Sequence, residues 1–235
     1  MVCPWCSGRL MTREEMTGSI DLGRGFGPVH DQGAEPLCAP AVVAGMLWAR
    51  GIVVCVPCLG DMGALSGNSG GGRTVASCLS AVERSGAPLA DGTPDHSAHG
   101  RGRAVRLRWT AADGSGWSAG GKLDHIESAL RAGHPVALQI GLYGSAVMRS
   151  GTGWLGTPEP DEARAGLHAV LCVGILRHGP RSGLIVKNSW GTDWGSDGYG
   201  IVSMGVLSLP ETGRFVTVTG AHVAHEHPVG PNNST

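Results

Sequence analysis

Apolar positions fall into two regimes along the chain. From Ala39 to Arg50 they occupy nearly every site, with Val42, Val43, Met46, Leu47 and Trp48, and the run stops at Gly51. Such a segment predicts a helix buried on all sides and ended by glycine. Arg73 to Ser85 spaces Val75, Leu79 and Val82 at helical intervals ahead of Gly86, and Asp124 to Ala132 repeats the pattern with Ile126 and Leu130. These predict two amphipathic helices, the second with Asp124 as N-cap and Gly133 behind it. After Pro135 the runs shorten and turn β-branched: Val136 to Ile140, His168 to Leu176, Leu184 to Lys187, Gly200 to Ser203 and Phe215 to Val218, separated by Gly, Pro and Asp. They predict strands. Residues 90–121 and 220–235 carry too few apolar positions to place. Helices first and strands afterwards make an α+β protein of two segregated parts, with a cleft where they meet.

Composition narrows the function classes. Within 235 residues, Gly (40) and Pro (14) are frequent, but seven Trp and 41% hydrophobic residues argue for a packed, loop-rich domain rather than low complexity. With 18 Lys+Arg against 19 Asp+Glu, the net charge of −1 gives no general attraction to phosphate backbones, so nucleic acid is excluded as the expected partner. No apolar run approaches the roughly 20 residues needed to span a bilayer. The N-terminus has no basic region followed by an apolar stretch, so no secretory signal is visible and a cytoplasmic location is favoured. A monomer is expected. Seven cysteines are an odd number at low density, so at least one thiol is free or bound to something other than another cysteine.

The chemistry concentrates in four segments. Cys38 opens the buried helix, where unpaired amides and the positive end of the helix dipole favour a thiolate. Taken alone, it also fits a small apolar cysteine inside a helix. Gln32, between Asp31 and Gly33, offers a side-chain amide that can join the Cys38 amide around a developing oxyanion. Further on come Gly166-Leu-His168-Ala-Val and Asn188-Ser-Trp190-Gly, followed by Trp194-Gly-Ser-Asp-Gly-Tyr199. His168 lies 130 residues and Asn188 150 residues after Cys38. In order and spacing these segments resemble the papain-like cysteine peptidases, above all their short bacterial members.

The resemblance runs from about Asp21 to Leu207. It implies a two-lobe fold over residues 21–209, with a helical lobe at about 21–120, a β-rich, barrel-like lobe at about 121–209 and the site between them. Residues 1–20 would form a separate Cys-x-x-Cys segment and 210–235 a strand and tail. The family implies Cys38 as nucleophile, His168 as base and then acid, Asn188 as orienter of the imidazole and Gln32 as oxyanion donor. It further implies that Gly70, Gly71 and Gly72 line the substrate backbone and that Trp190, at the substrate side, shields the Asn–His hydrogen bond. The activity implied is hydrolysis of a peptide or protein substrate through a thioester, with no cofactor and no propeptide expected. Two alternatives share the fold: a silent relative that binds peptides, and a thiol acyltransferase or amidase.

Several features depart from that pattern or lie outside it. Glu35-Pro36-Leu37 precedes the nucleophile where the family shows Cys-Gly-Ser, and Leu167 replaces a polar residue or glycine before the histidine. Pro40 sits in the first helical turn, where its missing N–H costs nothing. Cys3-x-x-Cys6 and Cys55-x-x-Cys58 together make a four-thiolate zinc set, with vicinal thiols or local disulfides as the other readings. Cys78 and Cys172 fall on apolar faces and read as core. Leu209-Pro-Glu-Thr-Gly213 matches a cell-wall sorting pentapeptide, but no apolar anchor follows it.

Overall fold

In the computed structural model, which describes residues 18–65, 73–88, 104–144 and 153–223, the described chain runs, besides two short 3-10 turns at Gly179–Arg181 and Met204–Ser208, through twelve α-helices and strands. They are β1 (Ile20–Asp21), α1 (Cys38–Trp48), α2 (Val56–Leu65), α3 (Val75–Ser85), β2 (Val105–Asp113), α4 (Ala119–Arg131), β3 (Val136–Tyr143), β4 (Trp154–Leu155), β5 (Arg164–Leu176), β6 (Gly183–Lys187), β7 (Tyr199–Ser203) and β8 (Arg214–Val223). The strands join in one sheet of order β2-β8-β3-β5-β6-β7-β4, with β1 added against β5. The path does not close, so the β-rich part is an open sheet. Pairing is antiparallel except between β4 and β7.

Both faces of the central strands are covered. Ala137, Leu171, Val173, Ile185 and Val216 pack with Val43, Met46 and Leu47 of α1, Leu59 of α2 and Leu79 of α3. Leu138, Ile140, Val170, Cys172, Leu184 and Val186 point the other way, onto Ile126 and Leu130 of α4. Two-sided burial removes the usual alternation of apolar and polar residues, which is why β5 and β6 read as unbroken apolar runs. Cys78 and Cys172, both fully buried, take the core positions expected of them.

Three segments differ from the sequence expectation. Helix α4 begins at Ala119, five residues before Asp124, and its N-cap is Ser118, whose Oγ accepts from Gly121 N–H at 3.1 Å. Glycines at 120 and 121 obscured a start that the serine cap secures. Helix α2 occupies the stretch read as a zinc knuckle. There Cys58 N–H donates to Cys55 Sγ at 3.3 Å, so the first cysteine satisfies an open amide at the helix head. Strand β2 lies within residues that could not be placed from apolar count. Val105, Leu107 and Trp109 alternate there with Arg106 and Arg108, and the strand pairs along β8 with an irregularity at Arg108/Trp109.

Candidate active site

Cys38 is the first residue of α1. Leu37 supplies no side-chain cap, Pro40 has no amide, and Ala41 N–H reaches Leu37 O at 2.9 Å. The amides of Cys38 and Ala39 are therefore the open donors at this helix end. The side chain of Leu37 turns away from the thiol onto α2, where a Cβ at Gly60 would come within 2.6 Å of Leu37 Cδ2. The bulk introduced before Cys38 is thus absorbed by a glycine.

His168 is the first buried residue of β5, 3% exposed, and Leu167 beside it is 49% exposed. His168 Nε2 lies 2.7 Å from Asn188 Oδ1. The same oxygen accepts Ser189 N–H at 2.8 Å, which identifies it as the carbonyl end of the amide. A ring nitrogen facing a carbonyl oxygen must carry hydrogen, so Nε2 is the protonated position and Nδ1 the basic one. Trp190 stacks on the imidazole, with ring centroids 4.8 Å apart and planes at 27°, and Trp194 meets Trp190 edge-on at 5.7 Å. Burial pushes the His168 imidazole down to about 4, against the opposing pull of its bond to Asn188.

Gln32 stands on the strap leading into α1. Its N–H donates to Ser189 O at 2.9 Å, its Oε1 accepts Ser189 Oγ at 2.6 Å, and its Nε2 donates to Glu35 O at 2.9 Å. One N–H of the amide is left over. Asp31 bridges to Trp190, so the strap is tied to the segment that carries Asn188. Sequence reading missed Ser189, 1% exposed; its place between Asn188 and Trp190 was the only signal.

Cys38 and His168 line one cavity of about 360 Å³, together with Thr74 ahead of α3, Gln139 of β3, Leu167 of β5 and Phe215 of β8. Gln32 and Trp190 are not among its lining residues, though Trp190 stacks on His168, which is. Gly70, Gly71 and Gly72 lie outside the described residues, as do Cys3 and Cys6. Cys55 is buried and Cys58 half-buried, and desolvation with the neighbouring Cys55 thiol pushes the Cys58 thiol up. No cluster of three or more metal-ligating side chains occurs among the described residues. No described helix is long and apolar enough to cross a membrane.

Comparison with known proteins places this geometry in a lineage. The fold is similar to that of xylellain, a cysteine protease from Xylella fastidiosa, at TM-score 0.64 and 18% identity over 90% of each chain. It is similar also to procathepsin L2 from Tenebrio molitor larval midgut, at TM-score 0.64 and 19% identity over 91% of this chain and 70% of that one. Among curated sequences, an uncharacterized peptidase C1-like protein of Acanthamoeba polyphaga mimivirus is 35% identical over 80 residues, 33% of this chain and 25% of the relative. A cathepsin L-like proteinase of Fasciola hepatica is 35% identical over 102 residues, 38% of this chain and 30% of the relative. The matched part thus spans under a third of either curated relative. The sequence model of the papain family of cysteine proteases matches residues 80–211, a stretch that holds His168, Asn188 and Trp190. Helices over both faces of an open sheet, a histidine held by an asparagine and that family match agree: the chain belongs to the papain family of cysteine proteases.

Proposed function

We propose that the protein is a cysteine peptidase in which Cys38 and His168 act as a thiolate–imidazolium pair. The observation that carries this reading is the bond from His168 Nε2 to an Asn188 Oδ1 already fixed by Ser189 N–H, because it leaves Nδ1 as the free nitrogen of a ring that shares a cavity with Cys38. Cys38 Sγ would attack the peptide carbonyl carbon, forming a C–S bond as the C=O electrons move to oxygen. The Cys38 amide and the spare Gln32 N–H would hold that oxyanion. His168 Nδ1–H then protonates the leaving amine as the C–N bond breaks, giving a thioester. Water, losing a proton to Nδ1, attacks the thioester carbonyl carbon; the C–S bond breaks, releasing the carboxylic acid and leaving Cys38 as thiolate beside the protonated His168.

A second reading, a silent relative that binds peptides in the same cleft, is favoured by the burial of His168. A ring held down to about 4 is neutral at pH 7 unless a negative charge stands beside it. A Cys38 thiolate would be that charge, so the two readings differ in one measurable property. Limiting iodoacetamide is added to the native protein near neutral pH, and the modified thiol is mapped by mass, with His168→Ala in parallel. The peptidase reading expects Cys38 to react first among the seven cysteines and to lose that preference without His168. Equal reactivity of Cys38 and its neighbours would leave the silent reading.

A further inference from the structure

Lys187, the last residue of β6, is 7% exposed. Its Nζ donates to the carbonyl oxygens of Phe26 and Pro28, each at 2.7 Å. None of the ion pairs among the described residues involves it. An ammonium carries three N–H donors, so one is unspent. Two carbonyl dipoles only partly offset the loss of water around a buried charge, and burial accordingly pushes the amine down to about 8.

Lys187 also lines a cavity of about 210 Å³ on the flank of α1, beneath the strap Phe26–His30. Its walls include Phe26, Val29, Ala44, Trp48 and Val54, and it shares no lining residue with the Cys38–His168 cavity. Trp48 and Val53 stand 38% and 40% exposed at this flank. Gly45, on the same wall, lets α1 approach β5 closely, since a Cβ there would come within 2.9 Å of Leu171 Cδ2 and 3.9 Å of Lys187 Nζ. His30 is the other ionisable group lining the cavity, and burial, the largest influence on it, lowers its pKa and favours the neutral ring.

We propose that this cavity binds a small amphipathic monocarboxylate, with the carboxylate on Lys187 Nζ and the apolar body against Phe26, Ala44 and Trp48. The carboxylate is chosen by charge complementarity: apart from the His30 ring, the side chains lining the cavity are apolar around a buried cation that lacks an acid. An acceptor carrying full negative charge makes a shorter, stronger bond to ammonium than a hydroxyl of the same length. An apolar enclosure with one placed charge is the ordinary construction of a small-molecule site.

The test titrates octanoate and 1-octanol into the full chain, reading heat of binding and thermal midpoint. Octanoate is expected to bind about tenfold more tightly than octanol, the difference one charge-assisted bond supplies. Lys187→Met should erase that preference while leaving octanol binding unchanged. If Lys187→Met does not fold, Ala44→Phe keeps the charge, fills the cavity and should weaken both ligands. Equal affinity of the two ligands for the unmodified protein, or unchanged octanoate affinity in either folded variant, overturns the proposal.

Discussion

Two of the polar clusters among the described residues differ in where their hydrogen bonds end. In one, Gln32, Ser189, Asn188 and His168 bond in sequence, and the chain stops at an imidazole on the wall of a large cavity opposite a thiol. In the other, around Leu209–Gly213, Lys122 Nζ donates to Leu209 O at 3.0 Å, Gln139 Nε2 to Glu211 O at 3.3 Å, and Tyr143 Oη to Glu211 Oε1. The second cluster is spent on the loop it holds. Burial and hydrogen bonding alone do not separate a site from a structural tie; an unspent basic nitrogen facing open space does. The pentapeptide that resembled a sorting signal belongs to the structural kind, since its backbone is held from two sides.

The sharpest way to break this comparison is to remove the groups proposed to react. Cys38→Ala and His168→Ala should each lower peptide hydrolysis by at least roughly 10³-fold, while Cys38→Ala, at a half-buried position, leaves the unfolding free energy within about 0.5 kcal/mol of the parent. Asn188→Ala should cost less, about 10–100-fold, because its proposed role is to orient the ring. Equal losses for Asn188→Ala and His168→Ala, at unchanged stability, would contradict the orienting role.

A second effect concerns pH, and its sign follows from burial. With the thiol gone in Cys38→Ala, His168 titrates at about 4 in the fold and near 6.5 in the unfolded chain. Between those values the unfolded state binds the proton first, so stability is fully present above pH 6.5 and falls as pH drops toward 4. The loss from this group is about 3 kcal/mol between pH 7 and pH 4. Denaturant titrations of Cys38→Ala against Cys38→Ala/His168→Gln isolate it, because all other titrating groups are common to both. A slope unchanged by the second substitution would mean that the ring is not buried as described.

The structural cluster should respond the other way. Lys122 is 2% exposed, and Lys122→Ala removes its packed stem and leaves Leu209 O without its donor, at a cost of about 2–3 kcal/mol. Hydrolysis at a temperature where the variant stays folded should be unchanged. A fall in kcat without a fall in stability would join this cluster to the site.

Much of this was legible in the sequence, for identifiable reasons. Helix α1 and the strands β5 and β6 announce themselves because two-sided burial makes them apolar throughout. The order Gln32, Cys38, His168, Asn188 carried the family resemblance, and the structure brings His168 onto Asn188 and Cys38 into the same cavity. Helix α2 was hidden because Gly60 and Gly63 look like breakers, whereas a Cβ at Gly63 would come within 2.8 Å of Cys78 Sγ, so close helix contact requires the glycine. Strand β2 was hidden because arginines occupy its alternate positions, so its apolar count is low although Val105, Leu107 and Trp109 keep the period of a strand. Lys187 could not be read at all. A lysine beside a motif asparagine looks solvent-facing until the strap at Phe26 and Pro28 folds over it.

The smallest effect tests how the strap is held. Ser189 Oγ donates to Gln32 Oε1 at 2.6 Å, and Ser189 N–H donates to Asn188 Oδ1 at 2.8 Å. Ser189→Ala removes the first bond and keeps the second, because the backbone donor is untouched. Gln32 then loses one of its anchors, and its spare N–H is less often aimed at the oxyanion. The expected result is about a tenfold fall in kcat with KM unchanged, since an oxyanion donor acts in the transition state rather than on bound substrate. The pH profile should not move, because the His168–Asn188 bond survives. If Ser189→Ala instead shifts the profile, the serine acts through Asn188 and the imidazole. Were Gln32→Ala combined with Ser189→Ala, the double variant should be no slower than Gln32→Ala alone, because the serine would have nothing left to position.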